Sequence, residues 1–137
     1  RGKDQAALTA AIKEAAPDGV DVIFENVGGI ILDAGLDNIN NDARIGLCGL
    51  ISEYNSPEPV GARNIWKLIV HRASIQGLLV ADYVERFGEG AAAMGVWAAE
   101  GKINIDEHID EGIENTYDAF MRLFEGSNQG KMILKIA

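Results

Sequence analysis

The 137-residue chain carries 12 basic and 21 acidic side chains, which gives a formal net charge of −9. This balance disfavours binding to nucleic acid or to an anionic membrane, because both need a basic surface. No apolar run reaches the length of about 18 residues that a membrane-spanning helix needs, and the single cysteine, Cys48, excludes an intramolecular disulfide and favours a reducing compartment. We therefore expect a cytoplasmic protein.

The first elements in chain order predict a helix followed by a strand. Residues 4–16 place apolar side chains at helical spacing, and Asp4 is a suitable N-cap. Residues 17–19 form a stop signal, and the apolar run 20–24 predicts a strand. A parallel sheet would need another strand before this helix, and the chain enters the helix directly. We therefore expect the chain to be the later portion of a larger doubly wound fold.

Residues 20–54 predict a strand, an amphipathic helix and a second strand. The first strand ends in a loop that contains the pair Gly28-Gly29, and a second apolar run covers residues 43–51. Such a unit is a right-handed βαβ crossover, and two strands that are apolar on both faces indicate an inner parallel sheet covered by helices. The apolar side chains assigned to the helix are Ile30, Ile31, Ala34, Leu36 and Ile39.

Two loops of this unit are candidates for a functional site. Ligands of open parallel sheets bind beyond the carboxyl ends of the strands. These ends carry Glu25 and Asn26 in the first loop and residues 48–52 in the second. We therefore expect the functional residues in these two loops.

The next elements predict another helix and strand and then a long helix. After a proline-containing loop at residues 55–61, the pattern predicts a helix over 62–73, a strand over 74–81 and a helix over 83–102. The side chains of the last helix that we expect to face inward are Met94, Val96, Trp97 and Ala98.

The pattern changes after Lys102. Short, half-exposed strands are predicted at residues 103–105 and 108–112, followed by a helix capped by Asn115 and, after a glycine-bounded turn, a strand over 131–137. We place a domain boundary at this change. The two predicted domains are residues 1–102 and residues 103–137.

Several groups of residues stand in the order and at the spacing of one enzyme family. These groups are Phe24-Glu25-Asn26-Val27-Gly28-Gly29, Ala43-Arg44-Ile45, Cys48-Gly49-Leu50-Ile51-Ser52-Glu53-Tyr54-Asn55, Ile75-Gln76-Gly77-Leu78-Leu79-Val80, Glu100-Gly101-Lys102-Ile103, Ala119-Phe120 and Gly126-Ser127-Asn128-Gln129-Gly130-Lys131. The chain resembles the carboxyl-terminal part of the zinc-independent medium-chain dehydrogenases and reductases. The most similar branch contains the leukotriene/prostaglandin reductases and the bacterial curcumin reductases.

The resemblance implies a fold of the α/β class. Residues 1–102 would form the second half of a Rossmann-type, doubly wound parallel sheet, and residues 103–137 would belong to a GroES-like catalytic domain. The family's amino-terminal GroES-like domain and its glycine-rich pyrophosphate turn are not in this sequence, since no G-x-G-x-x-G occurs. The isolated chain is therefore expected to be inactive.

The resemblance also implies an activity and a cofactor. Members of this branch use NADP(H) to reduce the carbon–carbon double bond of α,β-unsaturated ketones and aldehydes. Two alternatives remain open: a quinone reductase of the same superfamily, and a non-catalytic nucleotide-binding or assembly module.

The residues that match cofactor contacts of the family come from four segments. A glycine at position 49 lets the backbone approach a flat ring, and the Tyr54 hydroxyl could meet negative charge that develops on an enolate, although we favour binding over catalysis for it. Without the resemblance, the asparagines would be turn residues and the apolar side chains core residues. The matching residues are Asn26, Cys48, Gly49, Leu50, Ile51, Ser52, Tyr54, Leu78, Leu79, Val80 and Asn128.

The remaining polar residues predict no metal site. His71 and His108 are the only histidines and lack metal-ligand spacing, so we interpret both as surface or packing residues. The strand at residues 74–81 is expected at or near the sheet edge, where an exposed apolar strand invites pairing. The family commonly dimerises in this way, and the resemblance therefore implies a homodimer joined through this strand.

Overall fold

The computed structural model describes residues 4–58 and 61–136, which divide into two compact units between Tyr83 and Val84. The first unit alternates helices with strands. Its elements are α1 (Gln5–Ala15), β1 (Val20–Glu25), α2 (Gly29–Leu36), β2 (Ile39–Leu47), α3 (Lys67–His71) and β3 (Ser74–Gly77). A 3-10 helix over Val80–Arg86 follows.

The three strands of the first unit form one parallel sheet in the order β1-β2-β3. The pairing brings Glu25 opposite Leu47, and Leu47 opposite Gly77, so that all three strands end together at one edge of the sheet. This arrangement confirms the predicted parallel α/β class. Among the described strands, β3 is an outer strand, as expected for the segment that begins at Ser74.

The core of the first unit lies between the sheet and the helices. Apolar side chains of α2 pack against those of β2, with half-buried side chains from β1, β3 and the α3 segment around them. The buried members are Leu32, Leu36, Ile39, Ala43 and Ile45.

A carboxyl group at the end of α2 ties this unit together. The Asp37 carboxylate accepts hydrogen bonds from Gln5 Nε2 at 3.1 Å and Asn64 Nδ2 at 3.0 Å, and Lys67 Nζ lies 2.9 Å from it. Partial burial opposes ionisation, but the hydrogen bonds from Lys67, Gln5 and Thr9 and the charge of Lys67 outweigh it and hold the pKa of Asp37 below its ordinary value. The ionised carboxylate thus links α1, α2 and α3.

The second unit contains two further helices and a separate pair of strands. Strands β4 and β5 run parallel, from Glu107 opposite Lys131 to Glu111 opposite Lys135, and α5 connects them. The elements are α4 (Phe87–Ala99), β4 (Glu107–Glu111), a 3-10 turn (Ile113–Asn115), α5 (Thr116–Glu125) and β5 (Lys131–Lys135).

Two predicted strands have different bounds in the structure. The strand predicted over residues 43–51 begins earlier, at Ile39, which was assigned to the helix, and ends at Leu47. The Cys48 amide still makes the ladder bond to the Glu25 carbonyl, at 2.8 Å, but the next amide, that of Gly49, also turns to this carbonyl, at 3.3 Å, and the ladder ends there. The strand predicted over residues 74–81 ends at Gly77 and gives way to the 3-10 helix.

Two helices and one strand also differ from prediction. The helix predicted over residues 62–73 covers only Lys67–His71, because Asp33 binds the amide of Asn64 at 2.8 Å and holds the preceding segment in turns. The long helix begins at Phe87, and residues 103–105 form no strand. Asn115 stands at the N-cap position of α5, as expected, but its side chain makes no capping bond, because Nδ2 donates to Glu111 O at 2.6 Å.

Some apolar side chains that we expected to be covered are exposed within this chain. Val22 and Phe24 of β1, and Met94, Val96 and Trp97 of α4, all have about half or more of their surface accessible. The part of the last predicted strand at position 137, and residues 59 and 60 of the predicted loop, lie outside the described residues.

The division after Tyr83 describes packing within this chain. The predicted boundary near Lys102 concerns the domains of a larger protein, and it stays a prediction. No helix among residues 4–58 and 61–136 is long and apolar enough to cross a membrane.

Candidate functional site

The candidate site lies where β1, β2 and β3 end together. Because Glu25, Leu47 and Gly77 are aligned across the sheet, the loops that begin at Asn26, Cys48 and Leu78 leave it at the same edge. The carboxyl edge of a parallel sheet is the usual place for a ligand. The fold therefore brings three of the four predicted segments to one edge.

The first loop is held by a buried carboxyl group. Glu25 is only 4% exposed, and its Oε1 accepts hydrogen bonds from the amides of Val27, at 2.5 Å, and Gly28, at 2.7 Å. Gly28 is the residue before α2, so the negative charge also lies at the amino end of that helix, where it is favoured. The sequence marked Glu25 as a strand end but did not reveal this positioning role.

Backbone hydrogen bonds join the first loop to the second. The amide of Ile51 donates to Asn26 O at 3.1 Å, and the amide and hydroxyl of Ser52 both donate to Val27 O, at 2.9 and 2.6 Å. These bonds fix the two loops against each other. Asn26 and the Cys48–Tyr54 segment, predicted separately, are thus parts of one structure.

Gly49 lies at the centre of this structure. A Cβ at this position would stand 3.0 Å from Tyr54 Oη and 3.3 Å from Asn26 O, so alanine there would press on both. Tyr54 Oη accepts a hydrogen bond from the Leu50 amide at 3.1 Å, while the residue itself is 67% exposed. A phenol that accepts with a lone pair keeps its own proton for donation to a ligand.

The third segment contributes one packed and two exposed side chains. Leu78 is half-buried, and its side chain lies over Gly46 of β2, where a Cβ would be 2.7 Å from Leu78 Cδ1. Leu79 and Val80 are exposed. Cys48 is half-buried and free, and Ile51 is exposed beside Ser52.

The fourth predicted segment belongs to the second unit. Asn128 lies on the turn between α5 and β5, and its Nδ2 donates to Gly130 O at 2.9 Å. This geometry is that of a turn residue, and it leaves the expected cofactor contact as a prediction.

A small hollow lies beside the joined loops. It has a volume of about 250 Å³, and Gly29, Ser52, Ser56 and Arg63 are among the residues that line it. Arg63 was not singled out in the sequence, where one arginine in a loop carries no distinguishing signal. Across residues 4–58 and 61–136 no group of three or more His, Cys, Asp or Glu side chains could hold a metal ion.

Comparison with known proteins gives relatives over most of the chain, although no protein-family model matches it. The chain is 46% identical over 133 residues to the putative NADP-dependent oxidoreductase YfmJ of Bacillus subtilis, covering 95% of this chain and 39% of that protein. It is 39% identical to the NADPH-dependent curcumin reductase of Escherichia coli, covering 92% and 38%. The crystal structure of CurA from Vibrio vulnificus in complex with NADPH is 41% identical, with a TM-score of 0.79 over 94% of this chain and 40% of that one.

The fold and the loops at its sheet edge define a Rossmann-type α/β unit. The chain is related to NADP-dependent oxidoreductases of the medium-chain reductase family, in the branch with the curcumin and prostaglandin reductases, and the resemblance found in the sequence is confirmed. It spans about 40% of the length of these relatives.

Proposed function

We propose that this chain is the carboxyl-terminal, cofactor-binding part of an NADP(H)-dependent reductase that acts on the carbon–carbon double bond of α,β-unsaturated ketones and aldehydes. The observation that supports this most is the meeting of Asn26, Gly49 and Tyr54 at the carboxyl edge of the sheet. The chain's relatives include a putative NADP-dependent oxidoreductase and an NADPH-dependent curcumin reductase.

The residues at this edge fit a flat ring and a ribose. Gly49 has no Cβ between the backbone and the space beside Tyr54 Oη, and a larger residue would fill it. The exposed side chain of Asn26 provides an amide for a ribose hydroxyl. The proposed cofactor contacts are Asn26, Cys48, Gly49, Leu50, Ile51, Ser52, Tyr54, Leu78, Leu79, Val80 and Asn128.

When bound, the nicotinamide would supply the hydride that the β-carbon of the substrate receives, and the α-carbon of the resulting enolate would take a proton from water. The chain's own residues would position the ring and stabilise the negative charge that develops on the substrate. Tyr54 keeps a hydroxyl proton that can be donated to the substrate oxygen as negative charge develops there, while the Leu50 amide holds that hydroxyl in place. The exposed apolar side chains of Leu79 and Val80 would shield the ring from water.

The chain alone is proposed to be inactive. It spans about 40% of its relatives' length. Within it, Phe24 of β1 is 69% exposed, which is expected of an apolar side chain that another part of a longer protein covers. We propose a cytoplasmic location for that protein, in keeping with the single cysteine of the present chain.

An NADPH titration tests this function. We expect saturable NADPH binding, followed by fluorescence, and enone reduction from a version extended at its amino end with the GroES-like domain and the glycine-rich turn of a relative. We expect neither from the present chain alone. Reduction of quinones but not enones would favour the quinone-reductase alternative. Failure of both versions to bind NADPH would leave only the non-catalytic module.

We also propose that the protein forms a homodimer through the open edge of β3. Leu78 N–H donates to Leu47 O at 2.9 Å, so the alternation of strand amides directs the N–H of Gly77 away from β2. Nothing lies within 4 Å of a Cβ placed on Gly77. This outward amide is available to a second copy of the strand.

Gly77→Pro is therefore expected to convert the dimer into a monomer, because it removes the outward donor and leaves the bonds to β2 intact. Gly77→Ala, which keeps the amide and meets no neighbouring atom, is the matched control and should stay dimeric. Sedimentation velocity at micromolar concentration distinguishes the two. A monomeric unaltered protein, or a dimeric Gly77→Pro variant, would contradict pairing through this edge.

A further inference from the structure

The three loops at the carboxyl edge of the first unit's sheet carry charged side chains of one sign. In residues 25–28, 47–58 and 77–82, these side chains are Glu25, Glu53, Glu58 and Asp82. Glu53 is half-buried in the second loop, and Asp82 is exposed on the 3-10 helix that begins at Val80. A ligand that binds at this edge therefore meets negative charge.

The hollow beside the joined loops does not reverse this sign. Among the residues that line it, Arg63 is the only basic one, and Asp33 and Glu53 are both acidic. The amino end of α2, which begins at Gly29 in this hollow, is already faced by the carboxyl group of Glu25. Two carboxyl groups against one guanidinium leave the lining with a net negative charge, so the hollow disfavours an anion.

Apolar side chains make up the other exposed part of this edge. Ile51 of the second loop and Leu79 and Val80 of the third have 63% to 68% of their surfaces accessible. Tyr54 adds an exposed ring, whose hydroxyl is held by the Leu50 amide. Ligand sites are typically lined by such apolar and aromatic side chains with few polar groups. An apolar ligand would cover these side chains without removing a charge from water.

We propose that the reductase of which this chain is a part selects enones with neutral, apolar substituents over enones that carry a carboxylate. This rests on the proposed function and names the substrate class of the same site. A carboxylate that enters this edge leaves water for apolar side chains and for charges of its own sign, and both changes are unfavourable. The parts of the cofactor proposed to lie here, the nicotinamide ring and a ribose, have no negative charge of their own.

The test uses two enones that differ in one charge. Both have a phenyl substituent, which carries a para-carboxylate in one compound and the methyl ester of that carboxylate in the other. The ester is larger but neutral, so a preference for it does not reflect a limit on size. The value of kcat/KM for each enone is measured with the extended protein at low ionic strength and at about 0.5 M salt, where exposed charges are screened. NADPH is kept saturating, because it is itself an anion.

We expect kcat/KM for the carboxylate to be about tenfold below that for the ester at low ionic strength. Salt should raise the value for the carboxylate several-fold and leave that for the ester unchanged. Glu53→Gln should raise the value for the carboxylate about two- to threefold at low ionic strength, and high salt should abolish this gain. Glu14→Gln is the matched control and should give no gain, because it removes the same charge from the end of α1, at the opposite edge of the sheet.

A preference for the carboxylate, or a preference for the ester that salt leaves unchanged, would overturn the proposed selectivity. Glu53→Gln without a gain for the carboxylate, or an equal gain in Glu14→Gln, would also overturn it, because the charge at this edge would then not be the cause. An extended protein that reduces neither enone would instead contradict the proposed function. Failure of the selectivity and failure of the function thus give different results.

Discussion

Gly130→Ala is expected to destabilise the second unit by about 3–4 kcal/mol, the sum of a left-handed alanine and a steric overlap. Gly130 has a φ of +76°, and a Cβ there would collide with the Asp106 carbonyl. That carbonyl accepts the Lys131 amide at 2.7 Å, at the first pair of the β4–β5 ladder. Relieving the overlap would therefore break the bond that starts the parallel pairing.

Gly101→Ala separates the two contributions to this effect. Gly101 also has a positive φ, +66°, but nothing lies within 4 Å of a Cβ built on it. This control should lose only about 1 kcal/mol, the cost of the left-handed backbone. Urea denaturation gives both free energies of unfolding, and equal losses in the two variants would show that the Asp106 carbonyl does not crowd position 130.

Elements with a strong local signal were predicted well. The first helix was expected over residues 4–16 with Asp4 as its N-cap, and the structure has α1 at Gln5–Ala15 with the Ala6 amide bound to Asp4 Oδ1 at 3.1 Å. The strand expected at residues 20–24 is β1, Val20–Glu25. In both places the signal lies next to the element. Asp4 directly precedes α1, and the proline and glycine of residues 17–19 lie between the end of α1 and the start of β1.

The ends of β2 and β3 could not be predicted from the same patterns. Cys48, Leu50 and Ile51 continue the apolar run of β2, but the strand stops at Leu47, because the Gly49 amide turns to the carbonyl of Glu25 that already accepts the ladder bond from Cys48. That carbonyl belongs to another strand, and apolar periodicity does not register a hydrogen bond between distant segments. Tertiary contacts thus override the local signal.

The edge at which the candidate loops lie together could be predicted, but the side chains that hold these loops could not. Topology alone places the ends of parallel strands at one edge, and Asn26 and the segment from Cys48 to Tyr54 do lie together there. Glu25 acts through its burial and through the amides of Val27 and Gly28, which apolar periodicity does not show. An acidic residue just before a glycine-rich helix start was the one available signal for Glu25.

Apolar patterning also failed to predict which side chains this chain buries. The apolar pattern predicts that Phe24 and Trp97 are buried, yet 69% and 46% of their surfaces are accessible to solvent. The pattern identifies a side chain as apolar without identifying what packs against it. Under the proposed function, other parts of a longer reductase would cover such residues.

Glu25→Ala is expected to lower the free energy of unfolding by about 3 kcal/mol, because two amides at the start of α2 lose a charged acceptor. Glu25 Oε1 binds Val27 N and Gly28 N, whereas the bonds from Cys48 and Gly49 go to the main-chain carbonyl and survive the substitution. The effect should therefore be confined to the first loop. Under the proposed function, NADPH affinity should fall about tenfold, equivalent to about 1.4 kcal/mol.

Glu25→Gln is the matched control, since it keeps an oxygen at the Oε1 position and nearly the same volume. It should lose about 1 kcal/mol of stability, the difference between a charged and a neutral acceptor. Urea denaturation and NADPH titration of the extended protein measure the two effects independently. If glutamine and alanine weaken NADPH binding equally, the charge of Glu25 and not its hold on the Val27 and Gly28 amides supports the site; if neither weakens it, the loop at Asn26 does not contact the cofactor.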